Sequence, residues 1–432
     1  MYRSAQDKLV AWKSAKRRKP LILQGARQVG KTWLVQEFGR THYEKTAYVS
    51  FQGNVELKRV YDGSLSPERL LEALSIESGT TITPDNTLIV LDEIQECPRA
   101  LMSLKGFQEQ AAQYDIIAAG SLLGVALHQG VSFPVGKVTH LDLYPLTFTE
   151  FLIATGNEQL VSLMERRDFS LTSAYRDRLI ELLKKYCFIG GMPEAVMAFI
   201  ETGDFGAVRS VQSDLLYDYD HDFSKYASGE LAERIRLVWE ALPSQLAKEN
   251  KKFVYNAIRP SARAREFELA IRWLEDSGLA LRVPRVSKPG IPLSAYQDLG
   301  AFKLFALDVG LLAAKSGLGE RALLQGDALF EEFKGSLTEQ FVCQQLVATG
   351  LRPFYWSAER SSGEVDFIFE SSGKPIPVEV KAGENVRSKS LGSFLDKYQL
   401  STALRLSLSD FRQQERLTNL PLYAIGILPE FE

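Results

Sequence analysis

Residues 20–38 join an apolar run, a glycine-bracketed loop and the start of a helix, and they constrain the fold more than any other part of the chain. The loop has the spacing GxxxxGK(S/T), in which backbone N–H groups turn inward and small residues let the main chain approach a phosphate closely. Lys31 can reach the β- and γ-phosphates, and the Thr32 hydroxyl can ligate Mg²⁺. The sequence therefore predicts a buried parallel strand followed by a binding loop for a nucleoside triphosphate such as ATP. The residues of this loop are Gly25, Ala26, Arg27, Gln28, Val29, Gly30, Lys31 and Thr32.

Composition excludes several other classes of protein. The 432 residues carry a net charge of −3, so any contact with nucleic acid would have to be a local patch. Cys97, Cys187 and Cys343 are too far apart for a metal or disulfide motif. The N-terminus lacks the apolar core of a signal peptide, and the longest apolar run, residues 116–127, is too short to span a bilayer. We expect a soluble, cytoplasmic protein with no membrane partner.

Short apolar runs alternate with helical stretches over residues 20–142, which predicts a parallel sheet flanked by helices. The runs are residues 21–23, 47–49, 88–91 and 116–119. The third is followed by Asp92 and Glu93, and carboxylates at the C-terminal end of a parallel strand lie in the crevice where such sheets bind ligands. We expect Asp92 to hold Mg²⁺ and Glu93 to polarise the attacking water. The N-terminus of a helix would favour the same acidic residues. That alternative does not account for their occurrence together with the phosphate loop.

The fourth run is followed by the residues GSLLG, 120–124. A small polar residue at this strand end can donate a hydrogen bond to the γ-phosphate or to the attacking water, and we expect Ser121 to do so. Capping of the following helix by Ser121 is the alternative.

These motifs resemble the AAA+ ATPases, specifically a bacterial and archaeal branch with a GxRQVGKT loop and an LDEIQ segment. Other segments that match this branch are residues 144–151, 190–194, 302–305, 308–312 and 379–381. The resemblance implies an ATPase with a helical lid and a C-terminal domain whose role is poorly defined. It also implies an arginine finger from a neighbouring subunit, so an oligomer is possible. No residue can be assigned to that role, because Arg27, Arg99 and Lys137 are each better explained as surface or structural charges.

Helical spacing dominates residues 148–246, with a sharp break at residues 190–193. Asp218, Asp220 and Asp222 lie in this helical region and should not converge on a metal ion, because helical residues two apart point in different directions. Two helices and an extended ribbon follow, which is the layout of a winged helix, a frequent DNA reader. A contact with DNA would use Arg259, Arg263, Arg265 and Arg272. A protein contact, or simply a solvated arginine face, would explain the same pattern.

The last part of the chain combines a helix from Phe333 onwards with three strand-like segments, residues 352–356, 364–369 and 376–381. Alternation places Glu364 with Asp366 on one face of the second strand, and Glu379 with Lys381 on one face of the third. Pairing of these strands would bring together a possible second site, with a fourth residue reaching in from the helix. Its members are Glu339, Asp366, Glu379 and Lys381.

This second site resembles the PD-(D/E)xK nuclease fold, in which carboxylates hold Mg²⁺ and a lysine orients the attacking water. Val365 stands where the nominal proline would be. An amphipathic hairpin with cross-strand Glu–Lys pairs is the alternative, and the excess of acidic residues in this region argues against a DNA-binding surface. Whether the site cuts is open.

We therefore expect an α/β protein with a P-loop AAA+ core at residues 1–155, a helical lid at 156–228, a winged-helix-like segment at 229–325 and a restriction-endonuclease-like domain at 326–432. The expected activity is ATP hydrolysis with Mg²⁺, coupled to DNA processing by the C-terminal domain. The alternative is a nucleotide-dependent switch whose C-terminal domain recognises a protein partner without cutting.

Overall fold

A computed structural model describes residues 1–121, 134–248, 251–322, 331–358, 363–383 and 389–428, without the side chains of residues 331–333 and 389. The chain forms two compact units. The first is Met1–Tyr144 with Asp276–Gly278, and the second is Pro145–Glu275 with Leu279–Glu432. The four-region division expected from the sequence stays a prediction, and its last boundary, at 325/326, lies outside the described residues.

The first unit is built on a five-stranded parallel sheet with the order β2-β3-β4-β1-β5. Its strands are β1 (Leu21–Gln24), β2 (Lys45–Ser50), β3 (Thr87–Asp92), β4 (Asp115–Gly120) and β5 (Thr139–Asp142). Its helices are α1 (Ala5–Lys13), α2 (Lys31–His42), α3 (Val55–Asp62), α4 (Pro67–Ser78) and α5 (Pro98–Gln110).

The four apolar runs of the sequence form β1 to β4. Every residue of β3 and β4 is buried, as continuous apolar runs require when both faces of a parallel sheet are covered. Periodicity did not predict β5, because Leu141 is its one buried residue and the strand lies at the edge of the sheet. The C-terminal ends of β1, β3 and β4 bring the motifs of this unit to one edge of the sheet.

Helices dominate the first part of the second unit, as the spacing predicted. They are α6 (Phe148–Ala154), α7 (Glu158–Glu165), α8 (Phe169–Ala174), α9 (Arg176–Ile189), α10 (Pro193–Thr202), α11 (Phe205–Tyr226), α12 (Gly229–Leu246) and α13 (Ala264–Asp276). The predicted break separates α9 from α10. At Gly191 a Cβ atom would lie 2.1 Å from the carbonyl oxygen of Leu146, so only glycine fits there.

Two of the three aspartates of α11 lie in different surroundings. Asp220 pairs with Arg236 at 2.8 Å, and Asp222 is buried. Among the residues that the structure describes, no group of three or more His, Cys, Asp or Glu side chains could hold a metal ion.

The rest of the second unit is an eight-stranded mixed sheet with the order β12-β13-β11-β10-β9-β8-β6-β7. Its strands are β6 (Ala280–Val286), β7 (Gln297–Ala306), β8 (Phe354–Ser357), β9 (Glu364–Ser371), β10 (Lys374–Val380), β11 (Ala403–Ser407), β12 (Arg412–Gln413) and β13 (Leu417–Pro421). The helices associated with them are α14 (Val309–Lys315), α15 (Glu331–Ala348) and α16 (Lys389–Tyr398).

The ribbon expected for a winged helix is the antiparallel hairpin β6–β7. Arg285 of β6 pairs with Tyr355 of β8, so the hairpin forms one edge of the mixed sheet. Winged-helix character stays a prediction. The α/β fold class is confirmed: a parallel P-loop sheet, a helical segment and a C-terminal mixed sheet are all present. None of the helices in the described parts of the chain has both the length and the apolar character needed to cross a bilayer.

Candidate functional site

The phosphate-binding loop lies between β1 and α2, and its backbone requires glycine at both ends. Gly25 has φ of 152°, and a Cβ atom there would lie 2.2 Å from the carbonyl oxygen of Leu143. Gly30 has φ of 93° and immediately precedes α2. Between them, Gln28 also adopts a left-handed conformation, with φ of 64°. The loop therefore has the sharply turned backbone that directs N–H groups towards an anion.

Lys31, the first residue of α2, is only 6% exposed. Its Nζ donates to the carbonyl oxygens of Gly25 and Ala26, at 2.9 and 2.7 Å. Burial lowers the pKa of Lys31 to about 8, against the opposing effect of Glu93 and Asp92. The amine is thus folded back onto the first residues of the loop, where it lies close to the two carboxylates.

Asp92 ends β3, and one of its oxygens accepts two hydrogen bonds. The Thr32 hydroxyl donates to Oδ2 at 2.9 Å, and the Tyr48 hydroxyl donates to the same atom at 2.6 Å. Burial, followed by the contact with Asp92, raises the pKa of Tyr48. Mg²⁺ prefers oxygen ligands and is often bound by one or two protein groups, with phosphates and water completing its shell. Thr32 and Asp92 fit that requirement.

Glu93 lies directly after Asp92 in a left-handed conformation, with φ of 50°, which non-glycine residues rarely adopt. Its N–H donates to Oδ1 of Asp92 at 3.0 Å, and its carboxylate accepts a hydrogen bond from the Gln95 side chain. Ser121 lies beside it, with Oγ 3.5 Å from Oε1 of Glu93. Because β4 lies between β1 and β3, Ser121 is placed between the loop and the acidic pair. The alternative helix cap involves Leu122, Leu123 and Gly124, which lie outside the described residues.

Sequence reasoning did not identify two residues that support this site. Tyr48 was counted as part of an apolar run, although the parallel pairing of β2 with β3 brings its hydroxyl to Asp92. Arg3 is buried and donates to the carbonyl oxygens of Val29 and Tyr144, at 2.9 and 2.5 Å. Nothing in the sequence distinguishes Arg3 from its basic neighbours.

Two of the cations considered for an arginine finger, Arg99 and Lys137, have structural or surface contacts in the first unit. Arg99 donates to the carbonyl oxygens of Tyr61 and Gly63. Lys137 pairs with Glu109 at 2.9 Å, and both side chains are partly exposed. These contacts agree with the interpretation of both residues as structural or surface charges.

The structure brings the members of the second candidate site close together in the second unit. Asp366 of β9 accepts a hydrogen bond from the backbone N–H of Val380 at 2.7 Å. Lys381 pairs with Glu379 at 2.6 Å. Glu339 of α15 is buried, and the charges of Glu339 and Glu379 both act on Asp366. The predicted convergence of helix and strands is therefore present.

Two lysines that the sequence did not suggest enter this cluster. Lys303 of β7 is fully buried, 2.5 Å from Oε1 of Glu364 and 3.4 Å from Oε2 of Glu339. Lys251 lies 2.5 Å from Oε1 of Glu339. Burial and then the charge of Glu339 raise the pKa of Asp366 well above its usual range. Burial would also raise the pKa of Glu339, but Lys303 and Lys251 hold it below the usual value.

The second cluster does not fit a divalent metal ion. Both oxygens of Glu339 face an ammonium group, Glu364 pairs with Lys303, and Glu379 pairs with Lys381. Within the described part of the chain, no set of three potential ligand side chains could hold a metal. Glu339 and Glu379, two of the three carboxylates expected to hold Mg²⁺, are thus balanced by the chain's own lysines, whereas Asp366 accepts a backbone hydrogen bond from Val380.

Three protein families match successive parts of the chain. Residues 17–152 match the AAA domain, residues 180–322 match a domain of unknown function (DUF8612), and residues 334–425 match another domain of unknown function (DUF4143). The first match and the geometry of the loop support a P-loop, AAA-type ATPase domain. Neither the narrower branch nor a nuclease-like C-terminal domain follows from these matches.

The chain is also similar to an uncharacterized protein, MJ1637, of Methanocaldococcus jannaschii. The two are 29% identical over 191 residues, which is 41% of this chain and 38% of that protein. The match therefore spans well under half of this relative's length, and the relative's name assigns no activity.

Among solved structures, the chain is similar to the Walker-type ATPase PABY2304 of Pyrococcus abyssi, with 14% identity, a TM-score of 0.44, and coverage of 73% of this chain and 95% of that one. It is also similar to the Orc1 protein of Aeropyrum pernix in complex with DNA, with 15% identity, a TM-score of 0.27, and coverage of 74% and 91%. TM-scores this low carry no argument about activity or partner.

Proposed function

We propose that this chain binds ATP and hydrolyses it with Mg²⁺. The observation that carries the proposal is the convergence of Thr32, Asp92 and Glu93 beside the buried amine of Lys31. A phosphate loop, a hydroxyl–carboxylate pair and an adjacent second carboxylate are the parts that P-loop enzymes use for phosphoryl transfer to water.

Each residue has a distinct role in the proposed reaction. Residues 25–32 hold the phosphates through their backbone N–H groups, and the Lys31 ammonium leaves its carbonyl partners to contact the β- and γ-phosphates. Thr32 and Asp92 would hold Mg²⁺, and the bound ion would supply positive charge to offset the charge that develops on the phosphates. Glu93 accepts a proton from the attacking water. The hydrogen bond from Gln95 orients the Glu93 carboxylate for this step. Ser121 is placed to donate to the γ-phosphate or to that water.

Removal of the metal provides the direct test. We expect the purified chain to release phosphate from ATP in the presence of Mg²⁺, and to stop when EDTA exceeds the metal concentration. Thr32 and Asp92 supply too few ligands to hold the ion tightly without phosphate, so EDTA should remove it readily. Activity should return when Mg²⁺ is restored. Phosphate release that continues in EDTA would contradict the metal role, and a folded chain that binds ATP without hydrolysing it would contradict the proposal.

A second question is what ATP hydrolysis is used for, and the residues of the second unit bear on it. The sequence favoured DNA processing through a nuclease-like C-terminal domain. The lysine pairing of Glu339, Glu364 and Glu379 instead favours the alternative, a nucleotide-dependent switch whose C-terminal module recognises a partner without cutting. DNA remains a candidate partner, because Arg265 and Arg272 of α13 are exposed, although Arg259 pairs with Glu266 at 3.0 Å.

A cleavage assay distinguishes the two uses. We expect no cutting of linear or circular DNA by the wild-type chain with Mg²⁺ or Mn²⁺, with or without ATP, because Glu339 and Glu379 are engaged by lysines. Lys381→Ala is the matched variant, since it removes the lysine that a nuclease would use to orient water. Cleavage by the wild type that disappears in Lys381→Ala would establish DNA processing and overturn the switch.

A further inference from the structure

Lys303 is an unusual residue for the interior of a sheet. It lies on β7, its side chain is 0% exposed, and it is among the largest fully buried side chains in the described part of the chain. An isolated ammonium is too costly to remove from water, so a buried lysine persists only where opposite charges and hydrogen bonds compensate for its lost hydration.

Three separate elements supply that compensation. Oε1 of Glu364, on β9, lies 2.5 Å from Nζ of Lys303, and Oε2 of Glu339, on α15, lies 3.4 Å from the same atom. The ring of Tyr355, on β8, has its centroid 5.1 Å from Nζ, which adds a cation–π contact. The Lys303 ammonium thus contacts two carboxylates and an aromatic ring from one helix and two strands. A bound metal ion occupies this kind of position in other proteins.

The remaining acidic groups of the cluster are oriented towards the same region. Asp366 lies two residues after Glu364 and therefore on the same face of β9, and the charges of Lys303, Glu339 and Glu379 all act on it. The second oxygen of Glu339 faces Lys251. A divalent ion at Glu339 would thus lie next to two ammonium groups, and the repulsion between like charges in a buried site is strong.

We propose that Lys303 is the resident cation of the Glu339–Glu364–Asp366 cluster, and that it excludes divalent metal ions from this cluster in the wild-type chain. The inference rests on the proposed role of this module as one that does not cut. It is independent of ATP hydrolysis in the first unit.

The test is Mn²⁺ binding by the full, nucleotide-free chain after removal of metals, measured by electron paramagnetic resonance of the free ion. The contribution of the cluster is the binding that Asp366→Asn abolishes, which separates it from any metal held at Asp92. We expect no such contribution in the wild type.

Lys303→Met removes the ammonium but keeps an unbranched side chain. We expect this variant to gain one bound Mn²⁺, and the double variant Lys303→Met/Asp366→Asn to lose it again. Mn²⁺ should also raise the melting temperature of Lys303→Met, because it replaces the missing charge.

Lys315→Met is the matched control, since Lys315 is another largely buried lysine of the second unit, paired with Glu240 at 2.6 Å outside the cluster. We expect it to gain no Mn²⁺ binding. A wild-type chain that binds Mn²⁺ in an Asp366-dependent manner would overturn the proposal, and so would a folded Lys303→Met that gains none. If Lys303→Met does not fold, the comparison of the wild type with Asp366→Asn decides alone. Because the readout is metal binding, the proposal can fail while the module still does not cut DNA, so the two failures are distinguishable.

Discussion

Lys31→Ala is expected to weaken ATP binding by about 100-fold or more, the value that corresponds to the loss of strong hydrogen bonds to a charged group. Hydrolysis should fall below detection. Lys31 is buried at the start of α2, and its Nζ already contacts two carbonyl oxygens of the loop, so it is positioned to contact phosphates with little rearrangement. Alanine preserves the helix but leaves the loop with no ammonium at this position. Titration with a fluorescent ATP analogue and a phosphate-release assay measure the two effects.

Lys105→Ala is the control for this variant, because it also removes one positive charge from a helix of the first unit, at an exposed position of α5. We expect Lys105→Ala to bind and hydrolyse ATP as the wild type does. Unchanged affinity in Lys31→Ala would show that the loop does not hold the triphosphate through this lysine. Equal losses in both variants would indicate a general effect of charge.

The candidate nucleotide site was largely predictable from the sequence, because its main residues lie in short contiguous motifs. Residues 25–32 determine the loop by their glycine spacing, and the apolar run of β3 determines where Asp92 and Glu93 are placed. Tyr48 and Arg3 were not predictable, since their contacts join residues 44 and 26 positions apart in the chain. Such contacts depend on which strands become neighbours, and a single sequence does not encode that order locally.

The second cluster was less predictable from the sequence than the nucleotide site. Alternation along the strands predicted which charged side chains share a face, but no local pattern indicates that Lys303 of β7 pairs with Glu364 of β9 and Glu339 of α15. Helix α15 gives a related example: apolar residues of the helix are buried, and so are the polar residues Gln340, Gln344 and Gln345. Gln340 pairs with both backbone groups of Ala306, and the amide oxygens of the other two accept backbone hydrogen bonds from Val309 and Phe148. Buried polar groups need partners, and these partners are distant in sequence.

Glu93→Gln is expected to bind ATP about as tightly as the wild type and to lower turnover by about 100-fold or more, the usual contribution of a general base. Glutamine has the same shape and keeps the contact with Gln95 available, but it cannot accept a proton from water. An effect on turnover without an effect on affinity marks an interaction made in the transition state alone. Equilibrium binding of ATP and single-turnover hydrolysis, measured on the same preparation, separate the two.

Glu96→Gln is the appropriate comparison, because it makes the same change three residues away, at a carboxylate that pairs with Lys58 at 3.1 Å. A partly exposed ion pair contributes little, so this variant should keep both affinity and turnover. Normal turnover in Glu93→Gln would remove Glu93 from the mechanism. A parallel loss of binding and turnover would instead indicate damage to the loop. The left-handed backbone at residue 93 does not by itself predict such damage, because glutamine and glutamate meet the same steric restriction at Cβ.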